Sequence, residues 1–518
     1  MGEAKRRALQ RSQQTSVAAS SDVPAVPIGP LVLQSFAGRV AVKWDSKAAV
    51  TPMGQLSFFI EFLKVSGVFD ELVNSCPLNY TSPNASATRD ILGTLLLSIL
   101  AGHQRYAHIN ALRMDAVNPA LLGMSRVVSE DTIRRAFKEM DEAAGIAWLE
   151  QALQRCYQLM LASPWIMDID TTVKVLYGHQ EGAVRGYNPL KPGRPSHAYH
   201  SYMMSNTRLI MNVEVQPGNQ TASSFSAEKL WELLHALPAH ERPYLIRGDI
   251  AFGNEAIMSA AERLHIPYLF KLRQTQKVKQ LITQAFNSVL WEEAGQGWMG
   301  VESQLKLHGW SRARRVIILR RRVRDHLALA HRTAPKQLTL DGIQVLAPGE
   351  VYEYAVLITS RDDAIVSMAQ LYRDRADCEN HFDELKNQWG WAGYTSRAMK
   401  RNRIVSRLIA LTYNWWSLFV RLAHPDTHLE AMTSRPLLLN AVARRTEHAG
   451  QQQLTITSSH ADTAKAQRKL TALSQFLNSL TQTAEQLTDV QRWYRILNRA
   501  FYKLFGGVPL TPPQLALP

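Results

Sequence analysis

The sequence predicts a multi-domain α/β protein built on a mixed sheet covered by helices, and three observations carry that expectation. The chain has 518 residues, 46% of them hydrophobic, which is material for several cores. At Pro164 a helical apolar period gives way to β-branched alternation. From there three consecutive strands are followed by an α-β-α-β order, which describes a mixed sheet with helices packed on it.

Charge narrows the function classes before any motif is read. Lys plus Arg number 59 against 44 Asp plus Glu, a formal net charge of +15. Such a balance favours a polyanion, nucleic acid before an anionic membrane surface. Cys76, Cys156 and Cys378 show no CxxC or CxxH spacing, so neither a disulfide framework nor a structural zinc site is expected, and a reducing cytoplasm fits. Met1–Arg11 runs into polar residues rather than an apolar core, so no signal peptide is read. Ile91–Ala101 is too short to span a bilayer, and Leu408–Ala423 carries Asn414, Ser417 and Arg421, so both are expected as core helices and no membrane partner is implied.

In chain order, residues 1–30 join a basic cluster (Lys5, Arg6, Arg7, Arg11) to a Ser/Ala/Pro-rich stretch and read as a flexible arm. Residues 52–160 read as helical, with apolar periods over Gly54–Lys64 and Ala87–Leu100 and shorter pieces at Asn110–Met114 and Ala120–Met124. Ser129–Asp141 opens with Ser129 as N-cap and acids in its first turn. Its Arg134, Arg135 and Lys138 suit a DNA-recognition helix, though an ordinary solvated helix carries the same pattern.

Trp165–Leu176 alternates as a strand and sets Asp168 and Asp170 on one face. Ser196–Met204 and Leu209–Val215 read as strands and Ser226–Ala236 as a helix. Pro243–Asp249 is a buried strand ending in an acid, followed by a helix over Asn254–Leu264 and a strand over Ile266–Lys271. Beyond Lys271, Ala313–Val323 and Gln337–Val345 read as strands. Arg320, Arg322 and Arg324 alternate along one face there, either as a phosphate-facing row or as a charged edge that resists aggregation. Glu353–Thr359 returns as a core strand, and Asp362 or Asp363 is expected to cap the next helix. Asn402–Leu422 reads as an apolar helix, and Arg435–Gly507 as mostly helical with a polar interruption near 450–463.

The helix expected over Leu371–Trp391 carries an unusual polar stripe. At 100° per residue Tyr372, Arg375, Glu379 and Lys386 fall at about 0°, 300°, 340° and 320°. An acid between two cations and a phenol suits holding a metal against a phosphate; a solvated, salt-bridged helix is the plain alternative. Asp170, Asp249 and Glu379 come from separate elements of one sheet and can converge at its edge. An oxygen-only cluster of that kind suits Mg²⁺ or Mn²⁺.

Asp170-Thr171-Thr172, Asp249 and Tyr372-x2-Arg375-x3-Glu379-x6-Lys386 resemble the DDE transposases of bacterial insertion sequences, in the group with the Y-R-E-K signature. His179-Gln180-Glu181-Gly182, Gly186-Tyr187-Asn188-Pro189 and Lys191-Pro192-Gly193-Arg194-Pro195-Ser196 further resemble the insertion sequence thirteen-eighty family. The resemblance implies an RNase H-like core in two parts (164–271 and 352–425) around a β-rich insertion (272–351). A helical DNA-binding region (31–163) would precede the core and a helical region (426–518) would follow it. It implies Asp170, Asp249 and Glu379 as catalytic ligands of two Mg²⁺ (or Mn²⁺) ions, with Tyr372, Arg375 and Lys386 on phosphates near the transposon end. The implied activity is cut-and-paste transposition of double-stranded DNA, ends and target, by a homodimer in a bacterial cytoplasm. An inactive DNA-binding descendant and a nuclease without strand transfer are the rivals. Asp168 is the rival to Asp170 as first ligand, and the two threonines after Asp170 favour the latter. Glu255 is expected as a surface residue, and Asp383 as a supporting or cation-paired acid. Trp389, Trp391, Trp415 and Trp416 are expected in the core, and Trp298 and Trp310 as bases' stacking partners in the insertion.

Overall fold

The computed structural model describes residues 31–79, 84–189, 191–220, 222–286, 290–322, 343–347, 350–458, 462–483 and 486–512. The expected basic arm over residues 1–30, Arg324, and residues 337–342 of one expected strand lie outside them. Among the described residues, those before Val50 make one compact unit and those from Val50 onward another. Within the first, Leu31–Ser35 and Gly38–Val42 pair as an antiparallel hairpin.

The second unit is organised around β1 (Ile166–Val175). On one side β2 (Pro195–Met204) pairs antiparallel to β1, and β3 (Leu209–Pro217) pairs antiparallel to β2. On the other side β4 (Leu245–Gly248) runs parallel to β1, and β5 (Tyr268–Lys271) runs parallel to β4. The order β3-β2-β1-β4-β5, three antiparallel strands continued by two parallel ones, is the RNase H-like arrangement. The parallel step needs a crossover, which the helix Ala222–His235 provides between β3 and β4.

The sheet does not stop at β5. β6 (Glu292–Gly295), β7 (Trp298–Leu305), β8 (Arg314–Arg322) and β9 (Glu350–Thr359) add antiparallel in the spatial order β5-β9-β8-β7-β6; with the short Val184–Arg185 beside β2 and Ile343–Ala347 beside β9, the described residues make one sheet of 11 strands. Val316, Ile317, Ile318 and Leu319 of β8 are all buried, so this stretch of sheet is covered on both faces. That explains its continuous rather than alternating apolar run.

Helices carry the rest. α1 (Glu130–Glu139) has the expected cap, Ser129 Oγ accepting from Thr132 N at 3.2 Å. α2 (Glu255–Arg263) is capped by Asn254, which accepts from Ile257 N. The single helix expected over Leu371–Trp391 is two: α3 (Ile365–Arg373) and α4 (Ala376–Asn387). At the break Arg375 N donates to Tyr372 O and Cys378 N to Arg375 O, three-residue closures that turn faster than an α-helix. Tyr372 and Glu379 are therefore out of phase with one continuous helical wheel. Neither Asp362 nor Asp363 caps α3, whose N-cap is Ala364; Asp363 pairs with Arg361 instead.

α5 (Met399–Ala423) is the long core helix, buried nearly throughout. Two of its buried polar residues show how burial is compensated. Asn414 accepts from Ile210 N at 2.9 Å and donates to Ile210 O at 2.8 Å, acting as one more rung on β3. Arg407 is ion-paired to Glu214 of β3. Trp389, Trp391, Trp415 and Trp416 are buried as expected. In the C-terminal region the helices Ala431–Leu438, Thr463–Thr481 and Asp489–Phe501 are interrupted by a hairpin, Ala443–His448 with Gln451–Ile456, which begins ahead of the expected polar interruption near 450–463 and overlaps it. Among the described residues no helix is long and apolar enough to cross a membrane.

Candidate active site

β1 and β4 are parallel, with Ile169 level with Gly248, so Asp170 in β1 and Asp249 just past β4 reach the same edge of the sheet. α4 supplies Glu379, and the turn before it supplies Arg375. Arg375 is 4% exposed. Its Nη2 donates to Asp170 Oδ2 at 2.6 Å, while its Nη1 lies 3.5 Å from Glu379 Oε1. Asp170 Oδ1 also accepts from Thr171 N at 2.7 Å, and Asp249 Oδ1 from Ala251 N at 2.9 Å.

Electrostatics tie all six signature residues into one site. Burial pushes the Asp170 carboxyl up to about 7; Arg375 and the Thr171 N–H pull it down, and the charges of Asp249 and Glu379 push it up. The Tyr372 phenol is pushed up to about 12, first by burial, with Arg375 opposing and the three carboxylates adding. Burial lowers the Lys386 ammonium, against the pull of Asp383 and Asp170. Like charges crowded into a desolvated edge raise one another's cost of ionisation, which is the common state of a site that handles charge.

The donor set consists of hard carboxylate oxygens with lone pairs to spare, which fits a divalent ion of the magnesium type by chemistry. Among the described residues no three His, Cys, Asp or Glu side chains stand close enough to share one ion. Arg375 separates Asp170 from Glu379, whose side chain is 71% exposed. Holding one ion among all three carboxylates requires Glu379 to leave Arg375.

Asp168 is spent elsewhere. Arg247 donates to it through Nε and Nη2, both at 2.7 Å, and this pair is fully buried. Arg247 also reaches Leu371 O at 2.5 Å and Ser205 Oγ at 2.7 Å, clamping β1, β4 and the end of α3 together. The other expected residues spread out. In α1, Arg135 and Lys138 are exposed, whereas Arg134 is drawn to Glu130 and Asp131 and lies 5.0 Å from the centre of the Tyr106 ring.

Of the row expected on β8, Arg324 lies outside the described residues and Arg320 does not stand free. Arg320 sits among Trp291 (3.9 Å), Tyr352 (5.2 Å) and Phe286 (5.9 Å) and donates to Phe286 O, because aromatic faces there offer a guanidinium a dry, attractive seat. Arg322 is exposed. Trp310 is buried under Arg314, and Trp298 lies beneath Arg321, so neither ring is open for a base in this arrangement. Glu255 is no idle surface acid. With Glu262 it holds the buried Arg314 of β8 at 2.6 and 2.7 Å, tying the added strands to α2 directly behind Asp249. Asp383 accepts from Asn387 Nδ2 at 2.7 Å.

Two contributors escaped the sequence. Arg247 lies two residues before Asp249, and that alternation could have flagged it. Lys174, four residues after Asp170, is buried and donates to Gly393 O beyond α4; burial lowers it to about 7. Nothing local in the sequence reveals Lys174. Glu181, expected with His179 in a structural or DNA-contacting role rather than on a metal, accepts from Met399 N at 2.9 Å through Oε2 and so caps α5.

Comparison with known proteins gives a family and distant structural likenesses. The family model described as "Transposase DDE domain group 1" matches residues 84–478. No curated protein matches. Among solved structures the chain is similar to a piggyBac transposase in a synaptic complex with hairpin DNA, at 11% identity and a TM-score of 0.39, over 88% of each chain.

Proposed function

Because this chain belongs to the group 1 DDE transposase domain family and is therefore a DNA transposase, we propose that Asp170, Asp249 and Glu379 are its catalytic carboxylates. The observation that carries this is the bridge Arg375 makes from Asp170 to Glu379, with Asp249 brought level with Asp170 by the parallel register of β1 and β4. In this account the family's divalent ions, Mg²⁺ or Mn²⁺ and two in number, are held by those three side chains. Such ions activate the attacking oxygen and stabilise the leaving one in an in-line transfer.

The chain's own residues do the rest. Asp170 and Asp249 are fixed by backbone N–H groups, so their oxygens are aimed before substrate arrives. Arg375 stands in contact with both Asp170 and Glu379, and its planar fork can turn to a phosphate once those acids take up a cation. Lys386 and Tyr372 supply a mobile charge and a phenol proton on the same side. The exposed Arg135 and Lys138 of α1 are proposed to touch DNA outside the site, with Arg322 as a further contact. The finer assignment follows the sequence motifs: a bacterial element of the insertion sequence thirteen-eighty type, cut-and-paste, with two copies of the chain bridging two transposon ends in the cytoplasm. Asp168 is assigned to the fold because both its oxygens are taken by Arg247.

The test is a plasmid assay with matched element ends. Glu379→Gln should bind the ends with wild-type affinity and yield neither nicked nor joined product. Full strand transfer by that variant would refute the assignment.

A further inference from the structure

Residues 177–189 and 191–194 connect β1 to β2 and leave from the C-terminal end of the strand that carries Asp170. Five residues of strand separate Asp170 from Val175, about 17 Å at ~3.3 Å per residue. That is roughly 5 base pairs of B-DNA at ~3.4 Å each. The loop therefore lies within about 5 base pairs' length of the site.

The loop is built rather than loose. A Cβ on Gly186 would meet Gly218 O at 1.8 Å, so the backbone rests directly on the end of β3, and only glycine allows it. Asn188 is 4% exposed; its Oδ1 accepts from Lys191 N at 3.0 Å and its Nδ2 donates to Arg194 O at 3.3 Å. Gly193 takes the left-handed φ of 78° that closes this turn. The turn sets Lys191 Nζ 5.1 Å and the Arg194 guanidinium 5.4 Å from the centre of the Tyr177 ring, and Lys191 Nζ donates to Tyr177 Oη at 2.6 Å. Lys191, Arg194 and Arg185 remain exposed, as does Tyr187 at 82%. The nearest acid in the loop, Glu181, is committed to the N-terminus of α5.

The same surface continues past the loop. Glu181 N donates to Arg397 O, Lys400 Nζ to Lys138 O at 2.9 Å, and Arg401 Nη1 to Arg134 O at 3.4 Å. The loop thus touches the start of α5, which in turn touches α1.

We propose that Arg185, Lys191 and Arg194 are phosphate contacts for the backbone of a DNA duplex arm, with Tyr177 as the platform that holds Lys191 and Arg194 ready. This rests on the transposase reading above for its ligand. Two cations held on a ring lose less freedom on binding than free surface side chains, which suits sequence-independent backbone contact.

The test is a salt titration of full-length protein with a fluorescent 30-base-pair duplex of arbitrary sequence, read by anisotropy without divalent metal. Each lost phosphate contact should lower the slope of log K against log salt by about 0.9. Arg185→Ala/Lys191→Ala/Arg194→Ala should lose about 2 to 3 in slope, and Lys191→Ala, a change at an exposed side chain that cannot unfold the chain, about 1. Arg263→Ala/Lys279→Ala/Arg444→Ala, the same charge removed elsewhere, should keep the wild-type slope. A wild-type slope in the loop variants, or an equal fall in the charge-matched control, overturns the proposal. Because no cleavage is measured, this outcome is independent of the Glu379→Gln assay, and either can fail alone.

Discussion

Asp168 and Asp170 are two residues apart on one strand and meet opposite fates. Asp168 is enclosed with Arg247 in a two-pronged, fully buried pair, and the guanidinium has further acceptors in Leu371 O and Ser205. Asp170 has one prong of Arg375, shares it with the exposed Glu379, and feels the added charge of Asp249. A carboxylate whose charge is fully matched holds a fold together. One whose charge is only partly matched is prepared to accept another cation. The same contrast separates Arg314, closed in by Glu255 and Glu262, from the open cations of the loop after β1.

If that contrast is right, the largest stability loss belongs to the closed pair. Arg247→Met should cost about 3–5 kcal/mol in denaturant unfolding, since it strands Asp168 without a partner. Arg314→Met should cost less, about 1–3 kcal/mol, because Glu255 and Glu262 retain access to water. A loss for Arg314→Met as large as that for Arg247→Met would break the ranking.

How much of this was visible in the sequence follows the same division. The strand order, the acids near strand ends and the Tyr372–Lys386 spacing are local patterns; they located the sheet and name the residues proposed for the site. The identity of each acid's partner is a long-range fact. Arg247 and Asp168 are 79 residues apart, and Arg375 and Asp170 205. No periodicity carries that information. The seat of Arg320 is hidden for a related reason: alternation says which side chains share a face, not that Trp291 and Tyr352 lie against this one. The break between α3 and α4 was missed because Asp374 and Arg375 are ordinary helix residues by propensity; their three-residue closures come with Arg375's reach to Asp170.

The smallest expected effect sharpens the comparison from the alkaline side. Lys174 sits near 7 when folded against 10.5 for a free lysine. A lowered lysine binds fewer protons folded than unfolded between those values, so stability rises with pH across that window and is flat below it. The melting temperature of the wild type should therefore gain on that of Lys174→Met between pH 7 and about pH 9.5 by a few degrees. A pH-independent difference would mean that Lys174 stays charged.

The central claim is tested most directly by Asp168→Asn and Asp170→Asn measured side by side, for Mg²⁺-dependent nicking of end DNA and for unfolding free energy. Asp170→Asn should stay within about 1 kcal/mol of wild type, because its surroundings already disfavour the charge, and should give no nicked product. Asp168→Asn should lose about 3–5 kcal/mol, and the fraction that remains folded should still nick. Wild-type nicking by Asp170→Asn, with Asp168→Asn fully stable and inactive, would contradict the account.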